Sequence, residues 1–405
     1  MTSIEWTDES WNPIRARLRS DPTVIGWHCE HASPGCEHCY SETRNRSGRC
    51  NMGTKLPYKP SHRRDIEVFL DEAQLLKPLR WKKGRKIFVC SMSDLFADFV
   101  TGDMLDRIFA VMALCPQHTF QVLTKRSARM REYFANSGDF GICHGTPRRV
   151  WQAMYGVAKT RAAAETLDSW YGGPTAAQWP LPNVWLGVSV EDQQRADERI
   201  PDLLATPAAL RWISAEPLLG PVDLTRIMEA GRDECFRGEP KIVKTLDGRS
   251  WSETRGNLNS LTGHYWGEDL IDGQWEDWLG EGERSPGFDR PGYYKPLDWV
   301  VVGGESGTGA RPMHPDWARS LRDQCAAAGV TFFFKQWGEW APIGWEHAGS
   351  KHLVTGDGFI VPKALADMKR NQYGHGLIEV AKLGKKRAGR RLDGALHDGM
   401  PGVHG

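Results

Sequence analysis

The sequence predicts an α/β fold organised on a parallel sheet, and three observations carry the prediction. Short, continuous apolar runs recur at 86–90, 119–124, 184–190, 210–215, 299–302 and 331–334. Unbroken runs of this length, rather than alternating ones, read as strands buried on both faces. Stretches with apolar residues three and four apart, the helical period, lie between several of them. Polar residues gather where each run ends: Ser91-Met92-Ser93-Asp94, Lys125-Arg126, Glu191-Asp192, Glu216-Pro217, Gly303-Gly304-Glu305-Ser306 and Lys335-Gln336-Trp337. Full or partial β/α barrels and open doubly wound sheets both place their sites at that edge.

In chain order, 24–27 reads as a short first strand running into a loop rich in cysteine. Residues 65–79 carry Ile66, Phe69, Leu70, Ala73, Leu76 and Leu79, which predicts an amphipathic helix ended near Pro78. The second strand is 86–90, followed by a helix over 104–114 and a third strand over 119–124. A fourth strand precedes a helix over 195–204, and 210–215 is the fifth. The sixth, from Trp299, is followed by a helix over 315–328 and a strand beginning at Thr331. Six or seven strands are fewer than the eight of a closed barrel.

Two stretches interrupt this rhythm. Residues 135–183 hold a predicted helix over 150–168 and a loop rich in Gly, Pro and Trp. Residues 225–297 hold a hairpin turn at 246–249 and leave from the C-terminal end of the fifth strand, where they could form a lid. The expected organisation is a β/α domain over 1–337 and a C-terminal extension over 338–405. The extension contains the basic run Lys382, Lys385, Lys386, Arg387, Arg390 and Arg391, read as a solvated tail or a phosphate contact. Eighteen tryptophans include Trp251, Trp266, Trp275 and Trp278 in polar surroundings, where peripheral packing competes with base or sugar stacking.

With 52 basic and 51 acidic residues the formal charge is +1, so contact with nucleic acid requires a local patch. The first residues show no signal peptide, and no apolar run approaches the roughly 20 residues that span a bilayer. The expectation is a cytoplasmic protein with no membrane partner, in which nine cysteines, an odd number, indicate metal chemistry rather than a disulfide framework.

Three of the nine fall in one loop, as Cys29-x6-Cys36-x2-Cys39, with Pro34-Gly35 supplying a turn between the first two. Three thiolates can hold three irons of a 4Fe–4S cluster, leaving the fourth open to a small chelating ligand. They can equally enter a tetrahedral zinc site with Cys50, His28, His31 or His38 as fourth donor. Gly303-Gly304 lets backbone amides approach a ligand closely but does not match the dinucleotide fingerprint. Cys50, Cys90, Cys115, Cys143, Cys235 and Cys325 form no second close group.

The loop resembles the cluster loop of radical-SAM enzymes, with two residues between the last two cysteines and an aromatic, Tyr40, after the third. Its first gap is six residues, where the commonest family spacing is three. The motifs Ile4-Glu5-Trp6-Thr7-Asp8, Trp11-Asn12-Pro13, Gly303-Gly304-Glu305-Ser306-Gly307, Phe334-Lys335-Gln336-Trp337-Gly338 and Lys385-Lys386-Arg387-Ala388-Gly389-Arg390 resemble a phage and prophage branch of such three-cysteine proteins. The resemblance implies a partial (β/α)6-type TIM barrel with an N-terminal 4Fe–4S loop ligated by Cys29, Cys36 and Cys39. It implies S-adenosylmethionine as second cofactor, lined by Tyr40, Ser91, Ser93, Asp94, Ser189, Glu191, Glu216, Gly303, Gly304 and Glu305. It further implies a one-electron donor such as flavodoxin or ferredoxin, and host cytoplasm if phage-encoded. The phage relatives imply a modified thymidine, in DNA or as nucleotide, whose N-linked glycyl group is isomerised to the C-linked form during viral DNA hypermodification that protects against restriction. Other radical-SAM base modification or repair, and a zinc-stabilised nucleic-acid-binding protein, are the alternatives.

Overall fold

The structure, a computed structural model, describes residues 4–48, 52–135, 145–175, 178–228, 243–244, 250–251, 254–258, 260–262, 265–271, 274–279, 295–342, 351–356, 360–362 and 378–402. Seven strands make the central sheet: β1 (Glu9–Trp11), β2 (Lys86–Val89), β3 (Thr119–Thr124), β4 (Val184–Ser189), β5 (Leu210–Ala215), β6 (Trp299–Gly303) and β7 (Thr331–Gln336). Every neighbouring pair is parallel, and the spatial order is the chain order.

That order decides between the two architectures left open above. Crossovers between parallel strands are right-handed, so an order that never reverses puts every crossover on one side. A doubly wound sheet needs a reversal. The sheet is therefore a curled half-barrel with helices on its outer face, α2 (Gly102–Ala113), α3 (Ser127–Ala135), α4 (Gly145–Val157), α5 (Arg161–Asp168), α6 (Gln193–Leu204) and α7 (Pro315–Ala328), while α1 (Tyr40–Ser47) follows the cysteine loop. Several start at side-chain caps, Thr101 accepting from the Met104 amide at 3.3 Å and Asp192 from that of Arg195 at 3.0 Å.

The two faces of the sheet bury different residues. Val89, Val122, Val188 and Val302 share the main core with helix residues such as Phe109, Ile200 and Leu321. The concave face carries Phe88, Trp185, Trp212, Trp299, Val301 and Phe333 around Trp6. The Trp6 ring lies 4.9 Å from Phe88 and 5.2 Å from Trp212 between centroids, both edge-on. Gly187 is required on that face, since a Cβ there would stand 2.6 Å from the Trp212 indole. Burying the ~200 Å² of one indole contributes about 5 kcal/mol of transfer free energy, so this aromatic floor is a large part of what keeps the sheet curled.

Several expectations are corrected. The first strand of the sheet is β1, not 24–27; Ile25–Gly26 instead pairs antiparallel with Ile14–Leu18, which also pairs with Ile66–Leu70. The predicted helix over 65–79 is thus a strand followed by one helical turn, Glu72–Leu75. Ile66, Val68 and Leu70 also fit period two, and β-branched residues favour the strand once Ile14–Leu18 offers a partner. The helix expected over 150–168 is two helices, α4 and α5. The insertion contributes antiparallel strands, among them Tyr265–Ile271 paired with Thr254–Leu258 and Gln274–Leu279. Val243–Lys244 and Ser250–Trp251 pair as a hairpin would, while the turn at 246–249 lies outside the described residues. So do Cys50, Cys143 and Cys235, and the side chains of Trp251, Trp266, Trp275 and Trp278.

The C-terminal extension forms a four-stranded antiparallel sheet. It shares the main core through Val354, Val380 and Leu392. Its last turns run along the edge of β7, the Phe334 amide donating to the His397 carbonyl at 2.9 Å and the Trp299 indole to that of Gly399 at 2.9 Å. Met400 and Ile4 pack against the aromatic floor from the two chain ends. The basic run is partly tied down: Arg390 pairs with Asp398, and Lys385 lies 3.6 Å from Glu5. A second basic run, Lys77, Arg80, Lys82, Lys83 and Arg85, precedes β2. Among the described residues no helix is long and apolar enough to cross a membrane.

Candidate functional site at the mouth of the half-barrel

At the C-terminal ends of the strands the inward positions turn from aromatic to charged. Alternation carries Lys125 beyond β3, Glu191 beyond β4, Glu216 beyond β5 and Lys335 on β7 to this edge. The cysteine loop lies across it and is fastened to four of the strand ends.

The first fastening is Ser93, whose hydroxyl donates to the His28 carbonyl at 2.8 Å. The second runs through Asp94, which accepts from the Thr124 hydroxyl at 2.7 Å and the Lys125 amide at 2.9 Å. Asp94 also holds Arg126 at 3.2 Å, and Arg126 donates to the Glu30 carbonyl at 2.9 Å. The third is Glu191, fully buried, which accepts from the Ser33 hydroxyl at 2.7 Å, from Lys125, and from Arg199 at 2.9 Å. Burial raises the Glu191 pKa, but the charges of Lys125 and Arg199 and the hydrogen bonds from Lys125 and Ser33 outweigh it and bring the value to about 2. The fourth is Glu305, which grips Arg311 through its amide at 2.7 Å and guanidinium at 2.6 Å. Arg311 then donates to the Pro34 carbonyl at 2.9 Å and to Glu37 at 3.0 Å. Gly35 is needed at the crossing, since a Cβ there would lie 2.5 Å from Glu191.

These contacts reassign most of the residues expected to line a cofactor. Ser93, Asp94, Glu191 and Glu305 position the loop. Ser91 joins strand ends through Asn12 at 3.1 Å, and its carbonyl accepts from the Tyr40 hydroxyl at 2.5 Å. Tyr40 as a whole residue is 56 % exposed. The buried Ser189 lends its carbonyl to Arg199 at 2.9 Å. Gly304 serves backbone packing: a Cβ there would stand 2.0 Å from the Trp337 carbonyl, and its amide already donates to Gln336 at 2.9 Å. Gly303 lies against Glu216, a Cβ there being 3.4 Å from the carboxylate.

Glu216 is the expected residue left facing the mouth without a tie to the loop. It pairs with Lys335 at 2.7 Å and accepts from Gln336 at 3.3 Å, while Gln336 also donates to Ser306 at 3.0 Å. The other amide atom of Gln336, Oε1, is buried without a partner among the described residues. An unsatisfied buried acceptor costs about 1–3 kcal/mol, and a donor on a ligand in the mouth would relieve it. Lys335 and Gln336, like Arg126, Arg199 and Arg311, were not among the expected site residues. The strand-end pairs Lys125-Arg126 and Lys335-Gln336 were visible in the sequence, but nothing distinguished them from solvated strand ends.

The three loop cysteines have separate environments. Burial pushes the Cys29 thiol up to about 12, aided by the negative charge of Asp94 and opposed by Arg126. Cys36 is buried, and its sulfur accepts from the Ala32 amide at 3.5 Å. Cys39 stands at the N-cap position of α1 without a side-chain hydrogen bond to the helix, and burial raises its pKa against the opposing backbone amides of Glu42 and Ser41. Among the described residues no three His, Cys, Asp or Glu side chains meet at one metal position. Of the alternative zinc donors, His28 lies 3.4 Å from Glu30 with burial lowering its pKa, and His31 pairs with Glu42 at 2.5 Å.

No curated protein and no solved structure matches the chain. Over residues 1–401, however, it matches the family described as protein of unknown function, DUF5131, and the chain belongs to that family.

Proposed function

We propose that the chain is a radical-SAM enzyme whose site is the mouth of the half-barrel under the cysteine loop. The observation that carries the reading is the fastening of a three-cysteine loop, by four independent strand-end contacts, across the C-terminal edge of a singly wound parallel sheet. A loop that served only to cap the sheet would not need three thiols, one of them with an amide donor directed at its sulfur. The donor set fits a 4Fe–4S cluster, because amides directed at sulfur stabilise thiolate ligands. A single tetrahedral zinc would draw its sulfurs to about 3.8 Å of one another, whereas a four-iron cluster takes each thiolate on a different iron.

When bound, the reduced cluster supplies the electron that cleaves S-adenosylmethionine to methionine and a 5′-deoxyadenosyl radical. The chain's own part is to hold, orient and enclose. Cys29, Cys36 and Cys39 hold the cluster, and Arg126, Glu191 and Arg311 fix their loop. Glu216, Lys335, Gln336 and Ser306 offer both donors and acceptors to the polar end of a ligand in the mouth. The aromatic floor of Trp6, Trp212 and Trp299 keeps water out from below, as a reactive radical requires. The substrate we propose, from the motif resemblance, is a thymine base bearing an N-linked glycyl group that is isomerised to the C-linked form.

Iron, sulfide and zinc analysis of anaerobically purified protein tests the cofactor, with Cys36→Ala beside it. About four irons and four sulfides, lost in the variant, are expected, together with 5′-deoxyadenosine on reduction with S-adenosylmethionine. One zinc without sulfide would overturn the reading. Unchanged glycyl-thymidine after incubation with the active, reduced enzyme would overturn the substrate alone.

A further inference from the structure

Beside the mouth the chain builds a basic face that the cysteine chemistry does not use. Residues 40–65 contain seven Lys and Arg against two acids, in a protein whose overall charge is +1. Arg44, Arg46, Lys55, Lys59, Arg63 and Arg64 are all exposed. Among the described residues Arg44, Lys55 and Lys59 have no carboxylate within ion-pair distance, and Arg46 reaches Glu42 only at 3.9 Å. Two cations in the last turn of α1 would by themselves answer the helix dipole. Lys55, Lys59 and Arg64 lie outside that helix.

The backbone that carries Arg44, Arg46 and Lys55 is anchored. Asn45 of α1 is fully buried; its Oδ1 accepts from the amides of Trp27 at 3.0 Å and Thr54 at 3.1 Å, and its Nδ2 donates to Leu56 at 3.0 Å. Gly53 packs so closely that a Cβ would lie 2.2 Å from the Asn45 carbonyl. Lys55, next along, is held at φ +63°, a left-handed conformation that disfavours a long side chain. Strain of this kind persists where surrounding structure imposes it, often at functional sites. Arg63 binds Glu30 at 2.9 Å, joining the face to the loop beside Cys29. At the mouth end of α1 Tyr40 as a whole residue is 56 % exposed with its hydroxyl pinned, a rigid flat surface next to the cations.

Spaced cations beside an exposed aromatic ring match a nucleic-acid strand, with phosphates on the former and a base stacked on the latter. We propose that this face binds the sugar–phosphate backbone of a single strand and presents one of its bases to the mouth, so that the protein acts on polymer rather than on free nucleotide. The inference deepens the reading above and rests on it for what happens to the base, while the binding itself needs neither cluster nor S-adenosylmethionine.

Fluorescence anisotropy of labelled DNA and RNA strands of about 16 nucleotides, a single-strand site size, tests it on the full-length protein as purified anaerobically, without added S-adenosylmethionine. Binding should weaken with salt and should not be displaced by thymidine monophosphate; whichever strand binds more tightly identifies the polymer. Reversing Arg44→Glu, Lys55→Glu and Arg64→Glu together should lower the salt slope by about 2 and the affinity about a hundredfold near 0.1 M salt. The matched reversal Lys385→Glu, Lys386→Glu and Arg387→Glu should leave both unchanged. The neutral set Arg44→Gln, Lys55→Gln and Arg64→Gln, with thermal melting alongside, guards against misfolding. Equal loss in the tail variant, unaltered binding in the α1 variants, or preference for anionic lipid vesicles over either strand would overturn the proposal. Iron analysis of the same preparations separates the two readings: a cluster with no strand binding ends this one alone, and strand binding with no cluster ends only the other.

Discussion

Near the start of the central strands the inward positions are Phe88, Trp185, Trp212 and Trp299 around Trp6, whereas beyond their C-terminal ends they are Lys125, Glu191, Glu216 and Lys335. The same alternation along the same strands produces both layers. The aromatic layer is held mainly by ring packing, with the Trp299 indole hydrogen bond to Gly399 at its edge, and carries no group that titrates near neutral pH. The charged layer is stable only as complete sets: Glu191 needs Lys125, Arg199 and Ser33, and Glu305 needs Arg311. One end therefore acts as platform and the other as positioning device, and the positioning falls on the cysteine loop.

The largest effect should come from the platform. Trp299→Ala removes a ring that touches Trp6, Trp185, Trp212 and Phe333, and should cost about 4 kcal/mol in urea denaturation. A cost under about 1 kcal/mol would mean that the chain ends, not the tryptophans, close the interior.

Next comes Glu191. Its pKa, about 2 when folded, lies below the unfolded value, so its pairing stabilises the protein above pH ~4.5 and the contribution disappears as pH falls toward 2. About 3 kcal/mol should be lost across that window, measured as the change in urea midpoint with pH. Glu191→Gln should be less stable at pH 7 and flatter in acid; parallel pH profiles for the two proteins would dissolve the distinction between the layers.

The smallest effect sharpens the idea of positioning. Ser33→Ala removes one hydrogen bond from the loop and should cost about 1 kcal/mol, yet it should speed alkylation of Cys36 and Cys39 well beyond what global unfolding allows. Labelling that tracks global stability alone would show that the loop is held by packing rather than by its polar ties.

The apolar runs, their parallel pairing and the polar strand ends were legible because burial on both faces leaves an unbroken hydrophobic signature at 86–90, 184–190 and 210–215. The cysteine spacing was legible because three thiols in one loop are a local pattern. The roles of the polar residues were not. Asp94, Glu191 and Glu305 looked like ligand contacts, and each is satisfied by a basic residue: Asp94 by Arg126 and Glu191 by Lys125, both distant in sequence, and Glu305 by Arg311 on the loop that follows it. Gly304 looked like an opening for a ligand and is instead the only fit beside the Trp337 carbonyl. Residues 66–70 satisfied both the helical and the strand period, and the choice fell to Ile14–Leu18, about fifty residues away.

By itself, then, the sequence determined the local quantities: which segments are apolar enough to be buried, at what period, and that three sulfurs share a loop. Tertiary structure decided the rest. The unreversed strand order curled the sheet, brought charged strand ends into one ring and laid the loop across them. A buried charge is stable only beside its counter-charge, and for Asp94, Glu191 and Glu216 the fold brings up a partner, Arg126, Lys125 and Lys335, from far along the chain.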